Sequence, residues 1–270
     1  MSTLNINKLN YFYDDREVLK DITFKVKMPS LISVIGSNNC GKTTLIKCLS
    51  GIMPIGQSVS IDDIILNRKN IKKYSRCIGV VFSLDQNQFL FDKVLDEITF
   101  PLANLNYKKS MIKKSIIDVS NLLFLDDILD EKISELNCFE KLKVLIAVSV
   151  VHRPKVLLLD DIFIGLNEKE KEKIILMIKR IVKEFEMIVI LTSSSLGDCI
   201  YSDAILVIED GMIKYSGNLD DILMHDNDLT KLGINIPIMM DMSVKLQFYD
   251  LLDKVILNAE EMVDELWDWY

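Results

Sequence analysis

The hydrophobic pattern changes period several times along the chain. Apolar and polar residues alternate over Asn5–Tyr13 and Asp21–Val26, and a short apolar run follows at Leu31–Ile35. The spacing predicts strands that break, in the manner of a meander, at Asp14-Asp15-Arg16 and at Met28-Pro29-Ser30. From Thr44 to Ser50 the period turns helical and stops at Gly51, a residue suited to closing a helix. Ile78–Phe82 is a further strand of the buried type. Between about Lys93 and Val151 apolar residues recur at helical spacing, for example Ile112, Ile116, Val119, Leu122 and Leu123, which predicts a helical insertion. The pattern then returns to strand, helix and strands over Val156–Leu159, Glu168–Phe185, Met187–Leu191 and Ala204–Ile208. Such alternation predicts a parallel sheet covered by helices. From Asp220 onward the chain carries acidic helical segments and ends in Trp267-Asp268-Trp269-Tyr270.

With 270 residues, 49% of them hydrophobic and 27% charged, the chain can bury a sizeable core without disulfide support. A net charge of −8 argues against the phosphate backbone of nucleic acid as its main partner. There is no basic-then-apolar N-terminal signal and no uninterrupted apolar run of spanning length, so the expectation is a chain that neither crosses a membrane nor is exported. The five cysteines, Cys40, Cys48, Cys77, Cys138 and Cys199, are scattered without metal-binding spacing and read as reduced thiols. His152 and His225 are isolated from any acid or nucleophile in the sequence. Lys108-Lys109, Lys113-Lys114 and Lys169–Lys173 read as solvated helix faces with pairs four residues apart, with a lipid-facing role as the alternative for the 108–114 run.

One segment carries specific chemistry. Gly36-Ser37-Asn38-Asn39-Cys40-Gly41-Lys42-Thr43 fits G-x-x-x-x-G-K-[ST] and lies between an apolar strand and a helix, as that motif requires. The glycines let successive backbone N–H groups converge on phosphate oxygens, and the helix N-terminus adds partial positive charge. Lys42 is placed to reach the outer phosphates, with Thr44 completing the loop's set. Thr43 offers a hydroxyl to Mg²⁺, and Asp160, at the end of Val156–Leu159, supplies the acidic partner of such a metal site.

These motifs resemble those of the ATP-binding cassette (ABC) ATPases, over essentially the whole chain from Asn5. The resemblance implies an α/β P-loop NTPase fold of ABC type: a mixed core sheet flanked by helices, an N-terminal antiparallel region, a helical insertion at about 90–152 and a small helical tail. It implies a nucleotide-binding domain over 1–219 and an extension over 220–270. Tyr13 matches the aromatic residue on which the family stacks adenine. Ile78–Phe89 is similar to the Q-loop segment, with Ser83 at the glutamine position and Gln86 as its alternative metal-side group. Leu136–Glu140 stands where the LSGGQ signature belongs, Asp160–Asn167 where Asp-Glu-Pro-Thr-x-Gly-Leu-Asp is usual, and Ser193 at the switch histidine. Glu209–Gly217 matches the hairpin that follows. The tail, Asp221 to Leu266, is similar to that of the ATPase subunits of energy-coupling factor (ECF) transporters for vitamins and metals. That likeness implies ATP and Mg²⁺ as cofactors, a second ABC ATPase subunit in a homo- or heterodimer, membrane scaffold and substrate-binding subunits, and a place on the cytoplasmic face of the membrane.

Several positions depart from the family pattern. Asp161 replaces the glutamate that polarises the attacking water; one methylene fewer leaves the carboxylate about 1.5 Å short, a misplacement worth on the order of 100-fold in rate. Ser193 cannot carry the charge of a histidine. Cys138 and Phe139 replace signature glycines, and a phenyl ring there is expected to obstruct closure on the opposite subunit's ATP, while Asn137 retains one donor. Asn167 replaces an aspartate. The sequence therefore implies ATP binding with weak hydrolysis by this chain alone. It also leaves open a non-hydrolysing regulatory cassette, or a soluble ABC ATPase acting on nucleic acid or ribosomes.

Overall fold

A computed structural model describes residues 2–83, 88–253, 255–257 and 259–267. Strands β1 (Thr3–Tyr13) and β2 (Arg16–Lys27) form a hairpin closed by Asp14 and Asp15, with Tyr13 opposite Arg16. The expected meander ends there. β3 (Ser30–Ile35) leaves the hairpin and enters a second sheet, where all but its first residue are buried. Its apolar run has no polar face to present to water, and only a sheet covered on both sides can accommodate it.

After β3 come helix α1 (Lys42–Ser50), strands β4 (Val59–Ile61) and β5 (Ile64–Ile65), helix α2 (Ile71–Ser75) and β6 (Ile78–Val81). The short β4 and β5, which carry too few residues to show a period, extend the hairpin into a four-stranded antiparallel sheet ordered β2-β1-β4-β5. The helical insertion resolves into α3 (Val94–Asn104), α4 (Lys109–Leu123) and α5 (Cys138–Val150). Then follow β7 (Val156–Asp160), α6 (Glu168–Phe185), β8 (Ile188–Ser193), β9 (Ala204–Glu209) and β10 (Met212–Gly217). The larger sheet runs β10-β9-β3-β8-β7-β6; β10 alone is antiparallel to its neighbour.

Residue alternation decides which core each strand residue joins. Val156, Leu158, Ile188, Ile190, Ile32 and Val34 face the antiparallel sheet and α1, whereas Leu157, Leu159, Val189 and Leu191 face the α3–α6 side. In β9, Leu206 and Ile208 join the first of these cores, while Ile205 and Val207 pack with Ile35 against the tail helices α7 (Leu219–Leu223) and α8 (Asp226–Lys231). The tail continues through α9 (Ile238–Phe248) to α10 (Ala259–Trp267), which share a small cluster with Leu252 and Ile256. Among the described residues no helix is long and apolar enough to cross a membrane.

Candidate functional site

The carboxyl ends of β3, β8 and β7 lie side by side, with Ile35 opposite Ser193 and Asp160 opposite Thr192. In an open sheet of parallel strands this edge is where ligands bind. The loop from β3 to α1 crosses it. Gly36 has no room for a side chain: a Cβ there would lie 2.5 Å from both the Ile208 carbonyl oxygen and Cys40 Sγ. Gly41, the N-cap of α1, holds φ 115, a conformation costly for other residues, and no side chain caps the helix. The helix's first N–H groups are thus left facing outward from the loop.

Lys42 is buried, 5% exposed, yet no carboxylate pairs with it among the described residues. Its Nζ donates to the Gly36 and Ser37 carbonyls at 2.8 and 3.0 Å. A buried ammonium satisfied only by neutral carbonyls, beside uncapped helix N–H groups, is chemically suited to an anion. The cavity in front of it, about 520 Å³, is lined by Tyr13, Asn38, Asn39, Gly41, Lys42, Thr43, Thr44 and Asp161, together with Arg16 and Val18. Gly36, Ser37 and Cys40 shape the loop from beneath; burial pushes the Cys40 thiol up despite the nearby Lys42. Arg16 escaped the sequence reading, although its place across a two-residue turn from Tyr13 was a signal for it.

The acidic side is organised by Thr192. Its hydroxyl donates to Asp160 Oδ1 at 2.8 Å and its oxygen accepts from Asp161 N–H at 2.9 Å, locking the two aspartates to β8. Asp160 is buried. Asp161 adopts φ 46 and borders both the large cavity and a second hollow of about 260 Å³. Burial pushes its carboxyl up, Lys42 draws it down, and Asp160 adds to the rise.

Ser193 lines the second hollow and not the first. Its hydroxyl donates to Asp198 at 2.5 Å, and its oxygen accepts from Ser195 N–H at 3.0 Å. The Ser193 hydroxyl proton is therefore engaged within the protein. Asp198 lies in the 3-10 turn Leu196–Cys199 with its carboxylate turned to Ser193. Burial raises that carboxyl, and the Ser193 bond opposes the rise.

Ser83 does not line the large cavity, and Gln88 Nε2 donates to its carbonyl at 2.5 Å. Gln86 lies outside the described residues. The segment that follows is held by Glu97, a buried carboxylate accepting from Leu90 and Phe91 N–H at 2.9 and 2.8 Å. At the signature position Asn137 caps α5 in a reciprocal box with Glu140. Phe139 is half-buried against the helical core, with Lys143 Nζ 5.5 Å from its ring centre. Apolar burial and the ammonium both favour the ring's contact with the core. Asn167 likewise caps α6, in a box with Glu170.

A phosphate loop over the carboxyl edge of a mixed sheet, with paired aspartates at the end of β7, one strand beyond β8, defines a P-loop nucleotide-binding cassette. The sequence matches the ABC transporter family over residues 19–163, more than half of its length, and the chain belongs to that family. It is 29% identical to an energy-coupling factor transporter ATP-binding protein of Streptococcus pneumoniae, covering 99% of this chain and 98% of the relative. A protein of the same description from Enterococcus faecium is 28% identical, over 98% and 96% of the two chains. Among solved structures, cbiO1 of Clostridium perfringens, part of the ABC transporter complex cbiONQ, superposes with a TM-score of 0.77 at 25% identity, covering 91% of this chain and 98% of that one. A dimeric ATP-binding cassette bound to ADP and Pi shares the fold at TM-score 0.69 and 20% identity, over 80% and 98%.

Proposed function

We propose that the chain is the ATP-binding subunit of an ECF-type ABC importer, working at the cytoplasmic face of the membrane with a second ABC ATPase subunit and membrane scaffold and substrate-binding subunits. The observation that carries this reading is the buried, unpaired Lys42 in a glycine-shaped loop facing a cavity of about 520 Å³. The similarity of whole-length relatives supports the transport role.

Tyr13 and Arg16 would flank the base end of the nucleotide, Asn38 to Thr44 would supply N–H and hydroxyl donors, and Lys42 would meet the outer phosphates. Thr43 and Asp160 would hold Mg²⁺, which when bound offsets phosphate charge. A hydroxyl and a carboxylate are the hard oxygen donors that Mg²⁺ takes from protein, in company with substrate oxygens. Asp161 would take a proton from the attacking water from a position one methylene too far back. Hydrolysis by this chain alone is accordingly weak, and ATP binding is retained.

The Ser193–Asp198 bond favours a second reading, a cassette that binds ATP and does not hydrolyse it. Calorimetry with Mg-ATP tests the site: Lys42→Ala should weaken binding at least about 10-fold by removing a charge-assisted contact. Equal affinity in the variant overturns it. Brisk turnover by the isolated chain overturns the weak-hydrolysis reading, and purification from membranes without any scaffold subunit overturns the importer assignment.

A further inference from the structure

Helix α4 opens with the charge distribution a helix tolerates least at that end. Lys108 stands at its N-cap, Lys109 begins it and Lys113 and Lys114 follow a turn later, all exposed. The first turn contains no acidic residue and no side chain caps it, so cations occupy the positive end of the helix dipole. Among the described residues none of the four lysines has an ion-pair partner, against the pairs the sequence suggested. The first carboxylate on the helix, Asp118, is already taken by Arg153 at 2.8 Å. Elsewhere in the chain lysines do find partners on their own helix: Lys171 pairs with Glu168 and Lys245 with Asp241.

Apolar side chains lie among these cations. Met111 and Ile117 are 51% and 49% exposed, while Ile116, Val119 and Leu123 of the same helix face the core. On α3, one turn before its end, exposed Phe100 lies 5.3 Å from the ring of exposed Phe91. The first turns of α4 thus combine unpaired ammonium groups with apolar tips, on a chain whose net charge is −8.

We propose that the first turns of α4 form a contact surface for anionic phospholipid headgroups. Lysine is a mobile point charge, suited to a fluid array of phosphates, where arginine's rigid fork suits a single fixed anion. Met111 and Ile117 provide the apolar tips that settle at the boundary between headgroups and acyl chains. The acidic charge spread over the rest of the molecule is screened beyond a Debye length of roughly 8 Å, so the local sign decides adhesion. The choice of lipid over an acidic protein segment rests on the membrane role proposed above. Partitioning onto vesicles that hold no other protein separates the two, and the nucleotide arm of the test keeps a failure of this surface distinct from a failure of that reading.

The full chain is sedimented with vesicles of phosphatidylcholine alone and of two parts phosphatidylcholine to one part phosphatidylglycerol. It should partition onto the anionic vesicles only, and added salt should release it. Changing all four lysines to Gln (Lys108→Gln, Lys109→Gln, Lys113→Gln and Lys114→Gln) should reduce partitioning at least about 10-fold. Removing cations from this helix end favours the helix, so that loss does not report unfolding. The Met111→Ser, Ile117→Ser pair should weaken partitioning several-fold and keep its salt dependence, with Mg-ATP affinity unchanged in both variants. A chain that ignores anionic vesicles, or a four-lysine variant that partitions like the wild type, overturns the proposal. Vesicle binding by a chain that fails to bind Mg-ATP upholds the lipid surface and overturns the nucleotide reading.

Discussion

Ser193 and Asp161 are the residues whose surroundings change their chemistry most. With its O–H donated to the Asp198 carboxylate, the Ser193 hydroxyl has little to give a nucleotide. Ser193→Ala should therefore leave Mg-ATP affinity within about 2-fold of wild type by calorimetry, where loss of a working hydrogen bond would cost more. Asp161 is held by backbone and strand and cannot advance to make up the missing methylene. Asp161→Glu should raise ATP turnover in the assembled complex by on the order of 10-fold or more. A base must be deprotonated to act. Because burial raises the Asp161 carboxyl, residual activity should fall on the acid side at a higher pH than for an ordinary aspartate.

Between elements, a few backbone contacts tie the phosphate loop to the rest of the cassette. The β9–β10 hairpin reaches back to it: Gly211 N–H donates to the Cys40 carbonyl at 3.1 Å, and the Gly211 carbonyl accepts from Lys20 N–H at 2.8 Å. A Cβ on Gly211 would lie 2.2 Å from the Val18 carbonyl oxygen, at φ +81. Gly211→Ala should destabilise the fold by about 2–4 kcal/mol in urea unfolding and weaken ATP binding with it. A second tie joins the two sheets. Asp62, in the β4–β5 turn, accepts from Lys155 Nζ at 2.6 Å and from Thr3 N–H at 2.7 Å. Burial raises its carboxyl, but the hydrogen bonds from Lys155, Thr3 and Ser2 outweigh this and leave it below the ordinary value. A lowered folded value stabilises above the unfolded value and is lost as pH falls through the folded one. Asp62→Asn should cost less than about 1 kcal/mol at neutral pH, and the gap from wild type should close in acid.

For the molecule as a whole, the tail shares a core with the sheet that carries the site. Leu229, fully buried, packs with Ile35, Ile205 and Val207, and Ile35 immediately precedes the phosphate loop. Leu229→Ala should therefore cost about 2–4 kcal/mol in urea unfolding of the whole chain in a single transition. Two separate transitions, with only the tail affected, would mean that the shared core does not couple them.

Much of this was legible in the chain itself. The phosphate loop, its flanking strand and helix, Asp160 and the boundaries of α6 follow from local periodicity and from residue types that backbone geometry demands. Departures such as Asp161 and Ser193 are visible because each is a change of chemistry at a fixed spacing. What the sequence could not decide depends on neighbours far along the chain. The sheet that β3 joins, the engagement of Ser193 by Asp198, the contact of Phe139 with the core and the unpaired lysines of α4 are all settled by which groups pack together. A side chain's partners are fixed by three-dimensional proximity, and one-dimensional spacing records only the part of that proximity that lies within a helix turn or a strand pair.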